Sequence, residues 1–254
     1  MSWWFQFKDR IKRYVSFSGE EVKTLIIATI ALGFMFSFKE WGVTEFDVAF
    51  GFKNWLLSAI IALGAVFTGM IAHKIAAAYL GFRAECKLWT YGLIIGLVLA
   101  FVTRGNFFFL AAVGTTYHHL AVHRLGFFRY GLNYWDQAKV AFVGPLANIF
   151  LAALIKIIAT GSIVIPIGLA GSPLIEKAIL FNLWYAIFNM LPIPPLDGTV
   201  AFYASRMWYV FVFGCILGYS FLVIGAGVYS LFATVAGGIV LITIYYVFYE
   251  RYAA

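Results

Sequence analysis

The sequence predicts an all-α polytopic membrane protein with about six transmembrane helices and a re-entrant hairpin. Three observations predict it. Of 254 residues, 63% are hydrophobic and only 11% charged, against roughly 45–50% and about 25% in soluble domains. The apolar residues come in runs near the roughly 20 needed for one bilayer crossing. The basic residues, which leave a formal charge of +7, gather on one side of those runs, as Lys and Arg do in cytoplasmic loops. One soluble core cannot hide this much apolar surface.

The elements follow in order. Residues 1–21 mix Lys8, Arg10, Lys12 and Arg13 with Trp3, Trp4, Phe5, Phe7 and Tyr14. No small-residue cleavage site follows a short apolar core, so this is not a typical signal peptide. It reads as an amphipathic segment resting on the inner membrane face. Residues 22–251 form the transmembrane domain. Ser18-Gly19-Glu20-Glu21 is a capping box ahead of an apolar run from Val22 to Phe38. A polar stretch, residues 39–54, precedes Trp55 to Leu80. Further spans run over Lys139–Thr160, Leu174–Pro195, Met207–Val228 and Tyr229–Tyr249.

Leu88 to Thr103 is short for a crossing and is followed by a second apolar patch. With the N-terminus inside and a hairpin over about 88–113 returning to its own face, 13 Lys/Arg lie inside, Arg104 among them. Four lie outside: Lys39, Lys53, Lys156 and Lys177. A crossing removes this bias, so the re-entrant hairpin is favoured, provided that protein covers its backbone. The expected location is therefore a cell membrane, multi-pass, with a cytoplasmic N-terminus and the lipid bilayer as partner. The basic residues form no long Lys/Arg face, which excludes a nucleic-acid partner. Cys86 and Cys215 lack CxxC spacing and read as core residues. The topology also sends the spans ending near Leu80 and Pro195 to the same face, placing His73 and Asp197 at similar depth.

The most specific string is Asn189-Met190-Leu191-Pro192-Ile193-Pro194-Pro195-Leu196-Asp197-Gly198. Three prolines in four residues stop a helix and extend the chain, leaving an acid near the membrane core. Intramembrane acids are expensive and mark candidate sites; the plainer role for Asp197 is to cap the next helix. Gly144-Pro145-Leu146-Ala147-Asn148 stands early in the preceding span, and His73-Lys74 near the end of the second. These strings resemble those of the site-2 intramembrane metalloproteases (peptidase M50-like), and the resemblance covers roughly Val22 to Arg251. It implies a site-2-protease-like core in which His73, Asp197 and Asn148 are the residual family site, Asp197 serving the zinc, with Lys74, Gly144, Pro145, Pro194 and Pro195 as groove or support residues.

The family's other signature, H-E-x-x-H on the second helix, supplies two zinc ligands one turn apart and a glutamate that activates water. Here it is broken. If His73 leads, Lys74 and Ala77 replace the glutamate and second histidine. If His73 trails, Gly69 and Met70 stand where His and Glu belong. The second register is preferred, because His73-Lys74 followed by Gly81-Phe82-Arg83-Ala84-Glu85 is similar to the H-K…G-x-x-A-E-F of archaeal-type members, with Cys86 for the final Phe. One histidine remains in either register, and the base is gone. A prokaryotic, archaeal-type member without catalysis is expected, with no cofactor.

Three functions follow from different classes. The first is a pseudoprotease that binds a transmembrane helix of another protein or a membrane partner. The second is an active zinc protease with a rearranged site, drawing on His73, Asp197 and the i, i+4 pair His119 and His123, whose plainer reading is a polar interfacial segment. The third is a subunit of a membrane complex, or a transporter, with His73, Lys74 and Asp197 in a polar groove.

Overall fold

A computed structural model describes residues 3–42, 46–119, 133–159, 172–222 and 230–250. Within them the chain forms nine α-helices, a closing π turn and a two-stranded antiparallel sheet. The sheet departs from the all-α expectation. Helix α1 spans Trp3–Tyr14. Helix α2, Gly19–Ser37, opens on the expected capping box: the Glu21 amide donates to Ser18 Oγ and the Ser18 amide to the Glu21 carboxylate. Helix α3 covers Val48–Leu80, starting ahead of Trp55 because Asp47 accepts from the amides of Ala49 and Phe50 and so caps it inside the polar stretch. It ends at Gly81, whose φ of 85° is open to glycine.

Helices α3 and α5 (Tyr134–Ala159) are long and apolar enough to cross a membrane. The other expected spans hold α2 and three shorter helices, α6 (Pro173–Asn189), α8 (Arg206–Leu222) and α9 (Ser230–Tyr245). Helix α6 stops at Asn189 because Pro192, Pro194 and Pro195 follow, and the short α7 (Asp197–Ala204) starts after them. The inward face of α3 carries small and polar residues such as Ser58, Ala62, Ala65, Gly69, His73 and Lys74. Leu56, Ile60, Leu63, Phe67 and Ile75 point outward. Water disfavours so continuous an apolar exterior; hydrocarbon does not.

Strand β1 (Phe82–Leu88), helix α4 (Thr90–Val102) and strand β2 (Val113–His119) form one excursion. The strands pair from Phe82 opposite His119 to Leu88 opposite Val113. The 13 residues of α4 rise only about 20 Å. Residues 107–112 then come back along α4, so closely that a Cβ on Gly92 would lie 2.4 Å from the Ala111 carbonyl oxygen and one on Gly96 2.6 Å from that of Phe109. The tip meets the end of α2, where Lys39 bonds Asn106. Arg104 therefore stands beside the Lys39 end of the molecule, not with Arg83 and Lys87 as the charge argument assumed. The charge count had no way to see that α4 is long enough to carry it there.

Helices α2 and α3 run antiparallel. At one end the Asn54 amide donates to the Glu40 carbonyl; at the other, Lys74 of α3 meets Glu21 of α2 at 2.8 Å, both side chains almost fully buried. The lysine amine also donates to the Ser16 carbonyl at 2.9 Å and lies 5.1 Å from the centre of the Phe17 ring. The Glu21 carboxylate accepts from the Cys86 amide of β1 at 3.1 Å. A buried pair is tolerable when its remaining donors and acceptors are satisfied in this way.

Glu21→Gln or Lys74→Met strands the partner's charge and is expected to lower stability by about 3–5 kcal/mol, and the Glu21→Gln/Lys74→Met double substitution by less than the sum of the two. Thermal unfolding in detergent micelles tests this. Additive losses would show that the pair is not coupled.

Candidate functional site

The site forms where the ends of α3, α5 and α6 meet the start of α7 and the sheet. His73 and Asp197, 124 residues apart in sequence, are in contact: Nε2 to Oδ2 is 3.1 Å, with both side chains buried. Two residues expected at similar depth thus meet directly. Asp197 does not cap α7. The cap residue is Leu196, with no side-chain cap bond, and Asp197 is the first helical residue, a place where the helix dipole favours negative charge.

His73 is oriented from α5. Pro145 sits inside that helix, where its missing N–H takes the helical donor from the Ala141 carbonyl, next to Val140. One turn earlier, the Val140 carbonyl lies 3.0 Å from His73 Nδ1. A carbonyl only accepts, so Nδ1 carries a hydrogen and donates. Nε2 then needs a second hydrogen, shared with Asp197, because a bare nitrogen lone pair facing a carboxylate makes no bond. Gly144 gives the ring its space: a Cβ there would fall 2.1 Å from His73 Nε2.

Around this contact lies a cavity of about 10 Å³, lined by Gly69, Met70, Cys86, Thr115, Asn148 and Tyr185 among others. That is room for about one water. Asn148 donates weakly to the Gly144 carbonyl at 3.4 Å, and its Oδ1 is buried without a partner. Gly69 packs closely against it, since a Cβ there would lie 3.3 Å from Asn148 Nδ2. Pro195 braces the sheet, its ring so near Gly114 of β2 that a Cβ would come within 2.6 Å; Pro194 lies exposed beside it in the same turn.

Lys74 and Ala77 do not line this cavity. Successive helical residues point about 100° apart, so Lys74 turns to Glu21, while Ala77 packs with Phe82, Ala84 and Val140. The polar groove of His73, Lys74 and Asp197 therefore does not form. His119 lies four residues along β2 from Thr115, roughly 13 Å away, and His123 lies outside the described residues. The neighbouring His118 has Nε2 3.7 Å from Glu85 Oε2, both partly exposed.

A catalytic zinc takes three protein ligands and keeps one open position. This site offers His73 and Asp197. Among the described residues no group of three or more His, Cys, Asp or Glu is placed to hold a metal ion, so the donor set does not fit a catalytic zinc. A cavity of about 800 Å³ lies at the opposite end, between Phe36, Lys39, Lys177 and Trp184.

No family model matches the chain, and no solved structure matches it. Among curated proteins, one from Methanocaldococcus jannaschii, named "Putative zinc metalloprotease MJ0611", is 32% identical over 190 residues, covering 72% of this chain and 83% of that protein.

Two outcomes are expected for substitutions here. An asparagine in place of Asp197 can donate from its side-chain amide to a bare Nε2, so Asp197→Asn is expected to stay near the parent in stability, while Asp197→Ala loses about 1–3 kcal/mol. Equal losses in chemical unfolding would count against the shared hydrogen. Gly144→Ala is expected to cost about 1–3 kcal/mol by overpacking, against little for Gly64→Ala, whose Cβ meets nothing within 4 Å. Matching unfolding midpoints for these two would contradict the contact with His73.

Proposed function

The chain belongs to the same family as that archaeal metalloprotease-named protein, and on this premise we propose that it is a site-2-protease-like pseudoprotease of the membrane. It crosses several times with a cytoplasmic N-terminus and binds a transmembrane helix or another membrane partner instead of cutting it. The observation that carries this reading is the face of α3: Gly69 and Met70 line the cavity beside His73, at the two places where the second register puts the motif's histidine and glutamate. A glycine and a thioether supply neither a ligand nor a base. Loss of a positioned base alone typically costs 10²–10⁴-fold, and two ligands leave a divalent ion underheld.

The membrane placement draws on the length of α3 and α5 and on their apolar exterior. The return of residues 107–112 along α4 and the pairing of β2 with β1 support a re-entrant segment within about 88–113. Moving Arg104 to the outer set leaves twelve basic residues inside against five outside, so the sidedness survives that correction. Partner binding draws on the family's scaffold being kept while the site itself has room only for about one water.

Protein purified without added metal is expected to carry well under one zinc per chain by elemental analysis. Gly69→His/Met70→Glu, which restores the motif on the cavity face, is expected to take up about one. Stoichiometric zinc in the parent, or cleavage of a helical transmembrane substrate that is lost in Asp197→Ala, would overturn the pseudoprotease reading.

A further inference from the structure

Between α1, α3 and α5 lies a groove of about 370 Å³ whose walls include Phe7, Ala72, Ala76, Tyr79 and Val143. The alanines make its floor, and the edge-on contact of Phe7 with Tyr79, at 5.8 Å, closes one side. Lys139 is the single charged residue lining it. Its amine is 2.8 Å from Asp136 in a half-exposed i, i+3 pair, a kind that contributes little, so it is free to turn to a stronger anion. Arg10 reaches the same end, its guanidinium 3.5 Å from where a Gly81 Cβ would stand. Helix α1 carries Lys8, Arg10, Lys12 and Arg13 against one acid, Asp9, and Asp9 is held by Arg13 at 2.9 Å. The other nearby acid, Glu85 on β1, is 3.1 Å from Arg83.

We infer that this groove binds one anionic phospholipid, with an acyl chain between α1, α3 and α5 and its phosphate on Lys139 and Arg10. An apolar slot in hydrocarbon takes any chain; the cationic rim is what selects the headgroup. Basic residues at a membrane surface each favour anionic lipid by about fivefold in affinity. Two of them predict roughly a twenty-five-fold preference for phosphatidylglycerol over phosphatidylcholine. The inference rests on the membrane placement proposed above and not on the loss of catalysis.

Native mass spectrometry of the full chain in nonionic detergent, titrated with phosphatidylglycerol or phosphatidylcholine of the same chain length, tests it. One retained phosphatidylglycerol with that preference is expected. Arg10→Gln/Lys139→Gln, which changes only surface charge, is expected to bring the two lipids near parity, and Ala76→Trp to expel the bound lipid. Equal retention of both lipids by the parent, or phosphatidylglycerol still held by Ala76→Trp, overturns the site. A separate alkaline wash of membranes distinguishes the failures. Release without detergent overturns the membrane placement itself, whereas detergent dependence without lipid preference overturns this inference alone.

Discussion

The carboxylate of Glu21 ties three distant stretches of chain together. It takes hydrogens from the Lys74 amine, the Ser18 amide and the Cys86 amide, and so fixes the start of α2, the last turns of α3 and the middle of β1 against one another. A charge in so dry a place is stable only when its oxygens are satisfied, which makes the joint all-or-nothing. The sheet hangs from it. Cys86 on β1 and Thr115 on β2 line the cavity, so the wall facing His73 and Asp197 is placed by an ion pair that takes no part in the site.

On the pseudoprotease reading proposed above, the site keeps its carpentry without its chemistry. Gly144 is still shaped around an imidazole, the Val140 carbonyl still turns that ring, and the proline string still delivers Asp197 to it. On that reading, what is missing sits on one turn of α3. Fold and function would then separate in a concrete way: packing contacts are many and shared, so they tolerate the change of two side chains, whereas a metal site with two donors has none to spare.

Much of this was legible in the sequence because the signals were local or compositional. The capping box at Ser18 and Glu21 and the end of α6 before Pro192 follow from backbone chemistry within a few residues. Topology placed His73 and Asp197 at similar depth but did not show that they touch. The rest needed the third dimension. Lys74 looked like a groove residue because its partner lies 53 positions away. The strands β1 and β2 are seven residues each and are paired across an intervening helix, a separation at which alternation carries little information. Asp47 could not be recognised as the cap of α3 from inside a stretch read as polar loop. Arg104 was misplaced because sidedness was inferred from charge totals, which do not register how far a short helix reaches.

The hydrogen shared between His73 and Asp197 makes the interior of the site electroneutral. Imidazolium with carboxylate and imidazole with carboxylic acid both sum to zero, so either tautomeric form leaves no bare charge in a medium where one is very costly. A divalent cation entering here would carry a surplus positive charge even after displacing that hydrogen, with no second anion in the cavity lining to offset it. The scaffold is thus self-neutralising: a solitary proton serves as the counter-ion to Asp197.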